Sequence, residues 1–178
     1  HTTRRVKVAL PSPYLLGERM WDPELSRDAY PTRRDFTEPL VPILREELIA
    51  LRDEGVAIIQ FDDPHLCLFV DPTIQASYAN PVAEMDYCVD MLNRIADGVD
   101  GVYTALHLCR RNKGRAGWVG EGGYDPIMPA LRSLRFNMVM LEFAIPAAGD
   151  KRVLAQLPER MDIGLGCVDC RSPHIDTP

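Results

Sequence analysis

Residues 101–112 read GVYTALHLCRRN. The first part, VYTAL (102–106), has the β-branched and aromatic make-up of a short buried strand. His107 and Cys109 follow at once, two residues apart. In extended backbone, side chains at i and i+2 point the same way. The fold therefore turns on whether other strands of this chain also end in ionisable groups.

Four further stretches read as strands: VKVAL (6–10), VAIIQF (56–61), NMVMLEF (137–143) and DIGLGCV (162–168). Helical patterns separate them. EPLVPILREELIALRDEG (38–55) sets Leu40, Ile43, Leu44, Leu48 and Leu51 at helical spacing and stops at a glycine. NPVAEMDYCVDMLNRIADG (80–98) starts with Pro81 and ends at Gly98. DPIMPALRSL (125–134) and DKRVLAQLP (150–158) predict shorter helices. Alternating β and α segments predict a parallel sheet in an α/β fold. Residues 11–37 and 110–126 are rich in Pro, Gly and charge and predict long loops after strands, of the kind that carries function.

Four consecutive strands deliver polar groups at their C-terminal ends. Asp62 and Asp63 follow the second, His107 and Cys109 the third, Glu142 sits near the end of the fourth, and Asp169 and Cys170 follow the fifth. That edge is where parallel α/β sheets build their sites.

Of the 178 residues, 46% are hydrophobic, enough for one sizeable core. Twenty basic against twenty-six acidic side chains leave −6, which argues against a nucleic-acid partner. The apolar runs are too short to cross a bilayer and the start does not resemble a signal peptide, so no membrane partner and a cytoplasmic location are expected. The chain opens on His1 and not on methionine, which predicts a processed or truncated sequence. Five cysteines, an odd number spread along the chain, do not predict a disulfide framework.

Imidazole nitrogen and thiolate sulfur both suit zinc, although a buried cysteine beside a loop histidine is the plain alternative. Glu142 shifts the balance, because a carboxylate inside NMVMLEF is costly to bury without a cation. His107, Cys109 and Glu142 together predict a zinc site. In FDDP (61–64) one aspartate can turn the chain before Pro64 while the other accepts a substrate amine or hydroxyl. CVDC (167–170) holds a single CxxC, with Cys167 expected in the core and Cys170 as an alternative fourth ligand. VGEGG (119–123) lacks a P-loop lysine, and His65 and His174 are expected at the surface.

Through LPSPYLLG (10–17), IIQFDDPHL (58–66), LHLCR (106–110), LEF (141–143) and GLGCVD (164–169), the chain resembles the cobalamin-independent methionine synthase superfamily, in particular its short single-barrel members. The resemblance implies a (β/α)8 TIM barrel with a catalytic zinc. Such a barrel typically needs about 250 residues. The 178 present are then one domain, the central part of an incomplete barrel of about five βα units, without its first strands and last strand.

The resemblance carries the zinc ligands to His107, Cys109 and Glu142, and places a fourth, a cysteine, beyond Pro178. It assigns Asp62 to the amino group of the thiol substrate, with Ser12 and Asp63 as further substrate contacts. The implied reaction is zinc-dependent methyl transfer from a methylated folate to a thiol such as homocysteine. The small-molecule thiol and alkyl donor are its partners, and a homo-oligomer stays open. Where the family has D-x-H-S-P, this chain has DCRSP, so Arg171 takes the catalytic histidine's place and suits an anion better than proton donation. ALPSP holds no aromatic for a pterin. Three other readings remain. One resembles epoxyalkane:coenzyme M transferase, with Arg110, Arg111 or Arg171 on a sulfonate. A uroporphyrinogen decarboxylase barrel would not need His107 and Cys109. The last is a truncated barrel with a structural role or none.

Overall fold

Five strands pair in chain order, all parallel, into one sheet: β1 (Lys7–Pro11), β2 (Ile58–Asp62), β3 (Tyr103–Leu108), β4 (Met138–Glu142) and β5 (Asp162–Gly166). The computed structural model describes residues 2–111 and 119–169. The strand order never reverses, as it does in doubly wound sheets. With crossovers of one hand, a monotone order puts the helices on one face and leaves the other for a barrel interior. The fold is α/β, an open arc of a (β/α) barrel.

Among the described residues seven α-helices lie between the strands: α1 (Pro13–Met20), α2 (Arg33–Thr37), α3 (Leu40–Asp53), α4 (Pro64–Leu68), α5 (Pro72–Gln75), α6 (Pro81–Ala96) and α7 (Met128–Ser133). Strand periodicity sorts the residues. Ile59, Phe61, Leu106, Leu108, Val139 and Leu141 are buried in the core with Leu44 and Leu48 of α3 and Met91, Leu92 and Ile95 of α6. The opposite face carries Gln60, Asp62, His107, Met140 and Glu142, all only partly buried. Polar groups thus occupy the face opposite the core packed by α3 and α6.

The long helices lie where the sequence predicts them, but residues 11–37 are not a loop. Ser12 caps α1, its Oγ accepting from Leu15 N at 2.9 Å, and Thr32 caps α2 in a reciprocal pair with Asp35. Residues 150–158 form a 3-10 segment, Lys151–Gln156, in place of an α-helix, and a 3-10 turn at Asp125–Ile127 precedes α7. His65 is buried in α4 and not at the surface, and Cys167 is exposed and not in the core. Residues 112–118, Cys170, Arg171 and His174 lie outside the described residues.

Candidate functional site

Register brings the polar residues to one rim. Pro11, Asp62 and His107 stand side by side on β1, β2 and β3, and Met140 stands opposite His107 on β4. Asp62 and Glu142 are the last residues of their strands, and Cys109 follows the end of β3. His107 is inside its strand, so the sheet itself fixes its direction.

His107 Nδ1 lies 2.9 Å from Asp62 Oδ1, and Gln60 Nε2 donates to the same oxygen at 2.5 Å. The neighbouring Cys109 thiol, against burial and with help from Asp62, raises the imidazole's pKa. At Cys109 burial works to raise the pKa, but the bonds from His107 and from the Arg111 backbone prevail and lower it. Both shifts favour thiolate beside imidazolium, and a thiolate is the form that binds metals or attacks carbon. Asp62, His107 and Cys109 thus follow one another in a line along the rim, the first two joined by a hydrogen bond.

Two hollows meet at His107. One of about 540 Å³ is lined by Cys109, Arg111, Met140, Glu142, Gly164 and Val168, among others. The second, about 430 Å³, is bounded by Leu16, Arg19, Met20, Asp62 and Pro64. Arg111 adopts φ 58°, the only positive value at a non-glycine among the described residues.

Glu142 stands apart from the line. Its Oε2 accepts from the Arg110 backbone N–H at 3.3 Å. Among the described residues no three His, Cys, Asp or Glu side chains converge closely enough to hold a metal ion. The donor chemistry nevertheless suits zinc: one imidazole, one thiol of lowered pKa and one carboxylate at a single rim. Asp62 already holds one His107 nitrogen, as carboxylates do for metal-bound histidines.

The other predicted contacts are placed differently. Ser12 and Asp63 are fully buried behind the rim. Asp63 Oδ1 caps α4 through Leu66 N at 3.0 Å, and its Oδ2 accepts from Cys88 Sγ at 3.1 Å. Burial raises the Asp63 pKa against these bonds. Of the FDDP pair, Asp63 turns the chain and Asp62 faces the hollow. Tyr14, next to ALPSP, is buried against Phe69 and His65 and offers no open ring at the rim.

Sequence reasoning offered Arg110 only for a substrate sulfonate, which its complete burial does not favour, and passed over Tyr124. Arg110 is fully buried with its guanidinium 4.5 Å from the Tyr124 ring, and both bond to Glu142. The burial of Arg110 follows from the sheet edge, which the sequence pattern does not display.

A family model described as cobalamin-independent synthase, catalytic domain, matches residues 20–178. The chain belongs to that family. A methionine synthase of Pyrococcus abyssi is 27% identical over 99% of this chain and 44% of its own length. One from Sulfolobus acidocaldarius is 23% identical over 98% of the chain and 42% of its length. The chain thus spans less than half of the curated synthases it matches. The solved B12-independent methionine synthase from Shewanella sp. W3-18-1, in complex with selenomethionine, superposes with a TM-score of 0.73 at 23% identity, over 99% of this chain and 48% of that one. That likeness establishes the synthase fold.

Proposed function

We propose that this chain contributes to a zinc-dependent site that transfers a methyl group to the sulfur of a small thiol such as homocysteine. The observation that carries the reading is the Asp62–His107–Cys109 line at the C-terminal rim of a synthase-family barrel arc. The names of the similar synthases supply the product, methionine, and hence the thiol.

His107, Cys109 and Glu142 would hold the zinc, with a further ligand from outside the described residues. When bound, the metal supplies Lewis acidity that keeps a substrate thiol deprotonated and nucleophilic at neutral pH. Asp62, about a third exposed, orients the His107 ring and presents a carboxylate for the substrate's amine. Gly164 keeps the hollow open, since a methyl group there would come within 2.5 Å of Met140 Cγ. Arg171 remains the candidate partner for an anionic part of the methyl donor.

The test is metal analysis of the full-length protein, with zinc-edge X-ray absorption before and after adding homocysteine. The expected result is stoichiometric zinc that gains a sulfur neighbour. Absent zinc, or zinc indifferent to the thiol, overturns the reading. Cys109→Ser is expected to lose the metal, and retention counts against the assignment.

A further inference from the structure

We propose that Tyr124 and Arg110 are positioning residues for Glu142, fixing the direction from which its carboxylate reaches the rim. The proposal rests on Glu142 being a metal ligand. Glu142 ends β4 where β3 has already ended: the β3–β4 register stops at Leu108 opposite Leu141. At that point side chains hold the Glu142 backbone. The Tyr124 hydroxyl accepts from Glu142 N at 2.9 Å and donates to Glu142 O at 3.1 Å. Arg110 Nη1 donates to the same hydroxyl at 2.9 Å and to Glu142 O at 3.2 Å. The Tyr124 hydroxyl thus bridges both backbone groups of Glu142 to the Arg110 guanidinium.

The arrangement also binds the next loop, because Arg110 Nη2 donates to Gly122 O at 2.5 Å and Val119 N to Arg110 O at 2.8 Å. Burying a guanidinium completely among neutral acceptors is expensive, and filling space would need only an apolar side chain. Arg110 instead sits directly after Cys109 and holds Glu142 at its backbone oxygen and, through its own N–H, at its carboxylate. Two residues of the candidate ligand set are thereby locked to each other across the end of the sheet. Such outer contacts set metal affinity because they fix the ligand before the metal arrives.

The experiment uses full-length protein and four variants: Tyr124→Phe, Arg110→Lys, Glu142→Ala and the Tyr124→Phe/Glu142→Ala double variant. Zinc affinity is read by chelator competition, the ligand field by the visible spectrum of bound Co2+, and folding by metal-free thermal unfolding. Tyr124→Phe is expected to unfold cooperatively, to lose zinc affinity about 10–100-fold and to shift the Co2+ bands. Arg110→Lys should do the same if it folds. In the Glu142→Ala background the Tyr124 effect should vanish, because no carboxylate is left to position. A Tyr124→Phe affinity within twofold of wild type, or an undiminished penalty in the double variant, overturns the proposal alone. A wild type without zinc, or a Glu142→Ala variant that binds it normally, overturns the ligand reading as well.

Discussion

His107 and Asp62 are register partners on neighbouring strands, and their side chains meet at 2.9 Å, Nδ1 to Oδ1, on the face of the sheet opposite the core packed by α3 and α6. The pairing decides which imidazole nitrogen is left for other work. Asp62→Ala should lower zinc affinity about 10–100-fold by freeing the ring. It should also raise KM for the thiol more than it lowers kcat, because the substrate's amine loses its acceptor. Chelator competition and steady-state kinetics measure the two effects. An Asp62→Ala protein with unchanged zinc affinity would separate Asp62 from the ligand shell.

The neighbouring aspartate should behave in the opposite way. Asp63 is fully buried, caps α4 and accepts from Cys88. Asp63→Ala is expected to cost about 1–3 kcal/mol of stability in urea unfolding. Zinc affinity per folded molecule should not change. A stable Asp63→Ala protein with impaired thiol binding would instead make Asp63 a substrate contact.

His65 gives the stability a pH dependence. Burial first, then the charges of Arg111, Arg19 and Arg33, lower its pKa to about 4, although Glu18 Oε2 lies 3.9 Å from its Nδ1. The unfolded chain titrates near the ordinary value of 6.5. Between these values the unfolded state binds more protons than the folded one, so stability rises with pH. The contribution is complete above about pH 6.5 and is lost as pH falls towards 4, an upper bound of about 3 kcal/mol. Asp63, whose pKa is raised by burial, works in the opposite sense, so the quantity to measure is wild type minus His65→Asn in urea unfolding from pH 4 to 7. A flat difference curve would contradict the buried neutral histidine.

The five strands and the two long helices were legible because their hydrophobic periods are uninterrupted, as in Leu44 and Leu48 of α3, whereas a barrel-like strand order followed only from the family resemblance. The C-terminal placement of Asp62, His107 and Glu142 was legible too. The helices α1, α2, α4 and α5 were not, being four to eight residues long, too short for a period to register. Their signals were caps: Ser12–Pro13, Thr32 with Asp35, Asp63–Pro64 and Asp71–Pro72. His65 misled for the same reason, since a histidine after FDDP reads as loop until α4 is known to bury it. Arg110 was illegible in another way. Its acceptors, Gly122 and Glu142, are distant in sequence, and only the end of β3 beside β4 brings them to it.

Gly122 tests how far that loop is fixed by backbone packing. Its φ is 142°, and a methyl group there would stand 2.4 Å from Val70 O, an atom of the main chain that cannot swing aside. Gly55 has φ 87° but nothing within 4 Å of the same position, so it carries backbone strain without a clash. Gly55→Ala should cost about 1–2 kcal/mol, and Gly122→Ala about 2–4 kcal/mol because the loop must also move. Only Gly122→Ala should weaken zinc binding, since displacing its carbonyl removes the acceptor 2.5 Å from Arg110 Nη2 and loosens the brace on Glu142. Urea unfolding of both variants with zinc competition on each distinguishes the cases. Equal stability losses would show that the loop gives way around Val70, and normal zinc binding by Gly122→Ala would show that Arg110 keeps its grip without it.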